Sequence, residues 1–251
     1  MLITGASGVL GQEVAKRFPD ALKPPHSELD VTNRAEVEAC IEKNRPDVVI
    51  HLAAAVSPVK CHTNKEWAWK TNVLGTQHLV DALLKHHPNT FLALMSTPCI
   101  FDGEDENPKD EFAFPFPDNF YGLSKAMQEL IVSRSGLNHV IIRSNFVAFT
   151  RWRYPKAFTD RRSNYLFAPT VADGIADVLK EGITGVVHVL GDRIISMYEL
   201  ARLCPDSEDV KPMTLDEYYS KNAGGCRLTK NMILASTRWK RYAITSAMTQ
   251  T

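Results

Sequence analysis

The chain has 251 residues, of which 29 are basic and 29 acidic, and 44% are hydrophobic. That length holds one large domain, or one domain with a small added lobe. The ordinary composition argues against disorder and the zero net charge against a dedicated nucleic-acid binder, while no apolar run approaches the ~20 residues that cross a bilayer.

The N-terminus lacks the charged-then-apolar pattern of a signal peptide. Cys40, Cys61, Cys99, Cys204 and Cys226 are scattered without CxxC spacing. An odd, dispersed set predicts a reducing cytoplasm, with neither a disulfide framework nor a zinc site.

Leu2 to Thr4 opens the chain as a strand. Val9 to Phe18 reads as a helix, with Leu10, Val14 and Phe18 on one face. A second strand falls near Ala21 to Lys23, ahead of Pro24 and Pro25, which cannot donate to a ladder. Ala35 to Asn44 is a helix, Asp47 to Leu52 a buried strand, Trp67 to His87 a long helix and Thr90 to Ser96 a strand. Phe120 to Ser135 is helical and His139 to Ser144 is again a strand. Strand–helix alternation with continuously apolar strands predicts an α/β fold, a doubly wound parallel sheet covered on both faces. Farther on, Val171 to Lys180 predicts a helix, with Thr170 as N-cap and Gly182 as stop. Val186 to Leu190 is a strand, and Ser196-Met-Tyr-Glu199 is a capping box opening a helix through Cys204. The stretch beyond Pro205 is polar and ends in a basic-aromatic cluster at Arg238 to Tyr242.

Thr4-Gly-Ala-Ser-Gly-Val-Leu-Gly11 lies at the junction of the first strand and first helix. One glycine permits the tight turn, a second lets the backbone approach a pyrophosphate, and a third lets helix pack on strand. The helix N-terminus then offers free N–H groups and a partial positive charge to phosphates. The spacing is GxxGxxG rather than GxGxxG.

TGASGVLG at 4–11, LDVTN at 29–33, HLAA at 51–54, STPCIFDG at 96–103 and YGLSK at 121–125 resemble extended short-chain dehydrogenase/reductases, in the NAD-dependent epimerase/dehydratase superfamily. Within that group the motifs are most similar to the rhamnose-type reductases. The resemblance implies a Rossmann domain over residues 1–147, holding NADP or NAD with a lean to NADP. Residues 148–251 would form a small C-terminal substrate-binding lobe interleaved with the last Rossmann elements. Gly5, Ser7, Gly8, Val9, Leu10 and Gly11 would hold the pyrophosphate. Asp30 and Val31 would contact the adenine, and Leu52, Ala53 and Ala54 would line the adenosine side. Asn72 has two open readings, facing the cofactor or bonding locally, and His51 is expected to be structural.

Tyr121 and Lys125 are four apart, hence on one helix face. A free phenol gives up its proton only near pH 10, and a nearby ammonium favours the phenolate. That pairing suits a general acid for a carbonyl oxygen. The resemblance makes both residues catalytic, adds Thr97 as a hydrogen-bond donor to the same oxygen, and gives Lys125 a second role on the nicotinamide ribose. It places Asn145 and Phe146 in the substrate pocket. Arg151, Arg153, Lys156, Arg161 and Arg162 face one acid, Asp160, among the rings of Trp152, Tyr154 and Phe158. Cations for a diphosphate and rings for a base suit a nucleotide-sugar, with Arg151 as the expected anchor.

The segment leading to Pro169 is shorter than the resemblance implies. Pro98-Cys99 replaces the Asp-Glu of the dehydratases. Cys99 matches the proton-transfer cysteine of the ketosugar epimerases, but no histidine lies between His139 and His188 to complete that pair. The expected activity is reduction of a nucleotide-activated 4-ketosugar by a homodimer, with no metal. A nucleotide-sugar epimerase and a non-catalytic nucleotide-binding regulatory subunit remain open alternatives.

Overall fold

The computed structural model describes residues 1–222 and 225–249. Five parallel strands form the central sheet in the order β1 (Leu2–Thr4), β2 (Val48–His51), β3 (Phe91–Ser96), β4 (His139–Arg143) and β5 (Gly185–His188). Between them run α1 (Val9–Arg17), α2 (Arg34–Asn44), α3 (Gly75–His86), α4 (Phe120–Arg134) and α5 (Ala168–Lys180).

Alternation along the strands explains both layers. Ile3, Ile50, Ala93, Val140, Ile142 and Val187 point to one face and meet Leu10 and Val14 of α1 and Val171, Ile175 and Val178 of α5. Leu2, Val49, Leu92, Leu94 and Ile141 point to the other, against Val37 and Ile41 of α2, Leu79 and Leu83 of α3 and Val132 of α4. A side chain of this kind contributes roughly 1.5–3 kcal/mol when fully buried. Both faces being covered, the strand interiors are apolar, and the polar Thr4, His51, Ser96, Arg143 and His188 sit at the carboxyl ends.

The strand expected near Ala21 is reduced to one bridge, Leu2 to Leu22. Pro24 and Pro25 end it before a ladder can form. That bridge still matters, because Leu22 lies on one side of β1 and β2 on the other. The chain therefore changes direction at β1, and ligands bind at the carboxyl ends of the strands beside such a switch point.

The long helix expected over Trp67 to His87 is three pieces: an α-turn at Lys65–Ala68, a π-helical stretch at Trp69–Leu74, and α3. The wider π turn leaves Asn72 pointing into the interior. Thr170 is not the N-cap of α5. The helix starts at Ala168, with Phe167 as cap and Pro169 in the first turn, where a missing N–H costs nothing. The strand expected through Leu190 divides after His188, and Leu190–Gly191 pairs instead with Arg241–Tyr242.

The capping box holds. Ser196 accepts from Glu199 N, and Glu199 accepts from Ser196 N, opening α6 (Met197–Arg202). Residues 156–213 and 231–232 add short strand pairs around the open end of the sheet. The basic-aromatic cluster is a strap. Arg238 donates to Thr184 O and Val186 O, Lys240 pairs with Asp177, and Tyr242 donates to Asp177. No helix among the described residues is long and apolar enough to cross a membrane.

Candidate active site

Packing builds the phosphate-binding turn. Gly5 has φ +69°, and a Cβ there would lie 2.6 Å from Ala53 N. One on Gly11 would lie 2.1 Å from Gly5 O. Glycine alone lets α1 close so tightly onto β1 and β2. Gly8 is different, for a Cβ would meet only Gly5 O, at 3.3 Å. The space before Gly8 is otherwise open. Gly8 also begins α1 without a side-chain cap, so the free N–H groups and positive end of the helix remain for an anion.

A cleft of about 1050 Å³ runs from this turn along the carboxyl ends of the strands. Gly5, Ser7, Gly8, Val9 and Leu10 line its first part. Asp30, Val31, Leu52, Ala53 and Ala54 line the adjoining wall. Thr97, Tyr121, Lys125, Asn145, Phe146 and Arg151 line the far part. The described residues thus fit a dinucleotide, with a glycine cradle at one end and small side chains beside it. Near Asp30 the wall carries His26 and Pro24. Lys23, just before Pro24, donates to Pro19 O. His26 stands 3.9 Å from the Asp30 carboxylate.

Tyr121 and Lys125 sit on one face of α4, begun by Asn119, which accepts from Gly122 N. Both are buried, 8% and 4% exposed. Tyr121 is hydrogen-bonded with Thr97, the residue that follows β3 and caps the turn at Pro98–Ile100. Lys125 Nζ donates to Met95 O at 2.8 Å and to Gln128 Oε1 at 2.5 Å.

The ammonium was expected to pull the phenol down, and the structure differs. Burial is the largest influence on Tyr121 and holds its pKa above the ordinary phenol value, with Cys99 adding to it and Thr97 opposing. Burial also lowers Lys125 to about 8, against Glu129. Two of the lysine's donors are committed to Met95 O and Gln128, and for the phenol burial outweighs the other influences. Tyr121 is therefore a protonated donor, the form a general acid needs.

Asn72 does not line the cleft. Its Oδ1 accepts from Ala55 N, and its Nδ2 donates to Ala55 O and to Ser124 Oγ. Ser124 in turn donates to Tyr121 O. Asn72 thus clamps the 52–55 segment against α4. Beneath it, Gln128 Nε2 donates to Thr76 Oγ1, which donates to Asn72 O and faces His51 Nε2. Thr4 Oγ1 closes the chain at 2.7 Å from His51 Nδ1.

His51 is structural, as its motif implied. Burial, with Lys125 nearby, holds its pKa at about 3. The unfolded chain takes up this proton near pH 6.5, whereas the folded chain refuses it until about 3. Stability is therefore full above pH 6.5 and falls as pH drops toward 3. We expect His51→Gln to flatten this dependence. Urea midpoints of both proteins at pH 7 and pH 5 check it, and equal falls in the two would count against His51 as a source.

On the substrate side, Asn145 donates to Met232 Sδ at 3.3 Å. Arg151, the expected anchor, is exposed at the rim and paired with Asp209 at 3.2 Å. Cys99 is buried, with Sγ 3.6 Å from Met232 Sδ. His188 lies outside the cleft, held by Ala235 O and Arg143. Several cleft residues escaped sequence reasoning: Met197, Met213, Tyr218 and Met232. All four come from residues 197–232, which carry no cofactor or substrate motif, and Arg161, named only as one of five cations, looks like its neighbour Arg162 until it is folded.

Residues 1–162 match the family described as RmlD substrate binding domain. A dTDP-4-dehydrorhamnose reductase of Aggregatibacter actinomycetemcomitans is 30% identical over 226 residues, covering 80% of this chain and 76% of that one. The crystal structure of a dTDP-4-dehydrorhamnose reductase from Clostridium acetobutylicum superposes with a TM-score of 0.82 at 25% identity, over 93% of this chain and 89% of the other. A Bacillus anthracis dTDP-4-dehydrorhamnose reductase, solved in complex with NADP, shares the fold with a TM-score of 0.82 at 22% identity and the same coverage. With its glycine turn, its Thr97–Tyr121–Lys125 set and this match over most of its length, the chain belongs to the RmlD substrate binding domain family.

Proposed function

We propose that this protein reduces the ketone of a nucleotide-activated 4-ketosugar, using NADPH or NADH. The observation that carries the reading is one cleft holding both the glycine turn and the Thr97–Tyr121–Lys125 set. The bound nicotinamide cofactor supplies the hydride. Tyr121 gives its phenolic proton to the ketone oxygen as that oxygen becomes a hydroxyl. The Thr97 hydroxyl bonds the same oxygen and holds it beside the phenol. Lys125, anchored by Met95 O and Gln128, presents its remaining N–H to the cofactor ribose. Asp30 and Val31 contact the adenine, and Asn145 and Phe146 border the sugar. The protein works in the cytoplasm as a homodimer, residues 1–147 holding the cofactor and residues 148–251 closing over the substrate.

Reduction proceeds without epimerisation. Inverting a carbon beside a ketone needs two proton-transfer groups on opposite faces. Among the described histidines only His26 lines the cleft, beside Asp30 and away from Cys99.

The test is oxidation of NADPH and NADH with a panel of nucleotide 4-ketosugars in deuterated water, read by absorbance and mass spectrometry. Turnover with no deuterium on the carbons flanking the carbonyl is expected. Deuterium there, lost in Cys99→Ser, would promote the epimerase. Tight cofactor binding with no oxidation on any ketosugar would make the chain a regulatory subunit.

A further inference from the structure

Apart from Lys125 of the Thr97–Tyr121–Lys125 set, Arg161 is the buried cation of the cleft among the described residues. It is 8% exposed, yet it forms no ion pair among the described residues. Its Nε donates to Thr229 O at 3.0 Å, its Nη2 reaches only Met232 Sδ, at 3.6 Å, and the Phe158 ring lies 5.6 Å away. The neighbouring acid, Asp160, is turned away and accepts from Leu215 N. The other cations of this wall, Arg151, Arg153 and Lys156, are exposed, and water screens them. A buried guanidinium without an anion is costly, and a structure retains one where a ligand brings the charge.

The surroundings say what kind of ligand. Asn145 Nδ2 and Cys99 Sγ end on the same sulfur as Arg161. A thioether is a poor acceptor. Three donors around it make a patch rich in hydrogen-bond donors and short of oxygen. An oxyanion satisfies the guanidinium and the amide where the sulfur does not, and arginine's planar fork matches phosphate. The patch is also close to the chemistry, because Cys99 is two residues from Thr97 and touches the sulfur that Arg161 touches.

We propose that Arg161, with Asn145, seats the substrate phosphate nearest the sugar, and that Met232 is the apolar floor crossed by the sugar ring between this seat and Thr97–Tyr121. The proposal rests on the ketosugar reading and moves the anchor from the rim arginine, Arg151, to the interior.

Calorimetry with dTDP, inorganic pyrophosphate, thymidine and NADP tests it on the wild type, Arg161→Met and Arg161→Lys. We expect Arg161→Met to weaken dTDP and pyrophosphate binding roughly 10- to 100-fold, the range for one charged hydrogen-bonding group. NADP affinity should stay within about twofold, which also reports an intact fold. Arg161→Lys, keeping charge but not the fork, should fall between, and it decides the matter if Arg161→Met does not fold. Unchanged dTDP and pyrophosphate binding in either variant overturns the proposal, as does a wild type that binds neither. A wild type that binds pyrophosphate in an Arg161-dependent way but not dTDP supports the seat and sinks the thymidine-nucleotide form of the functional reading.

Discussion

Tyr121→Phe should lower kcat by roughly 10²- to 10⁴-fold, the usual loss when a positioned general acid is removed. Cofactor affinity should remain, because the ring stays and only the hydroxyl goes. Tyr121 is buried among Ala55, Cys61, Cys99 and Tyr165, so phenylalanine fills the same space. The hydroxyl's partner, Thr97, retains its bond to Cys99 N and keeps the strand end in shape. Stopped-flow reduction of the ketosugar, with NADPH affinity measured separately, reads the two effects apart. A variant with near wild-type kcat would remove Tyr121 from the chemistry and leave Lys125 or water as donor. Lys125→Ala is expected to differ by weakening binding and rate together, since its ammonium is placed for the cofactor as well as for the site.

A second large effect concerns stability behind the site. Glu129 and Arg143 form an ion pair at 2.7 Å with side chains 7% and 3% exposed. Arg143 Nε also donates to Glu129 at 3.0 Å, and Ser96 donates to the same carboxylate at 2.5 Å. The pair ties α4 to the ends of β3 and β4, one residue from Thr97. Glu129→Ala would leave a buried guanidinium facing His188 and the Phe101 ring. We expect a loss of about 3–5 kcal/mol in urea unfolding, a large share of the stability of an ordinary domain. Replacing both charges, as Glu129→Leu with Arg143→Met, should recover most of it, because the desolvation of each ion is removed along with their attraction. A loss under about 1 kcal/mol in the single variant would mean that water reaches Arg143 and pays its solvation.

Much of this protein was legible in one dimension, and the reason lies in which interactions are local. The glycines of the turn answer to a strand-to-helix geometry set within eight residues, and Tyr121 and Lys125 answer to the pitch of one helix. The sheet strands showed as apolar runs because burial on both faces leaves their interiors no polar positions. The Ser196–Glu199 box spans four residues, and both of its bonds formed. Where local signals conflicted, packing chose: Pro169 drew the start of α5 back to Ala168, and the prolines after Leu22 reduced a strand to one bridge.

Tertiary structure alone decided the rest. Asn72 carries no mark that separates a cofactor ligand from a clamp, and its role follows from Ala55 and Ser124, 17 and 52 residues away. The acidity of Tyr121 could not be read from a lysine four residues on, because burial is the largest influence on the phenol and raises its pKa. Arg151 and Arg161 are alike in sequence, yet Asp209 pairs with one at the surface while folding carries the other against Met232 with no acid partner among the described residues. Residue type and spacing determined which chemical groups this chain owns. Burial and contacts between distant segments determined which of them are charged, satisfied or left facing the cleft, because desolvation and Coulomb energies depend on distance in space and not along the chain.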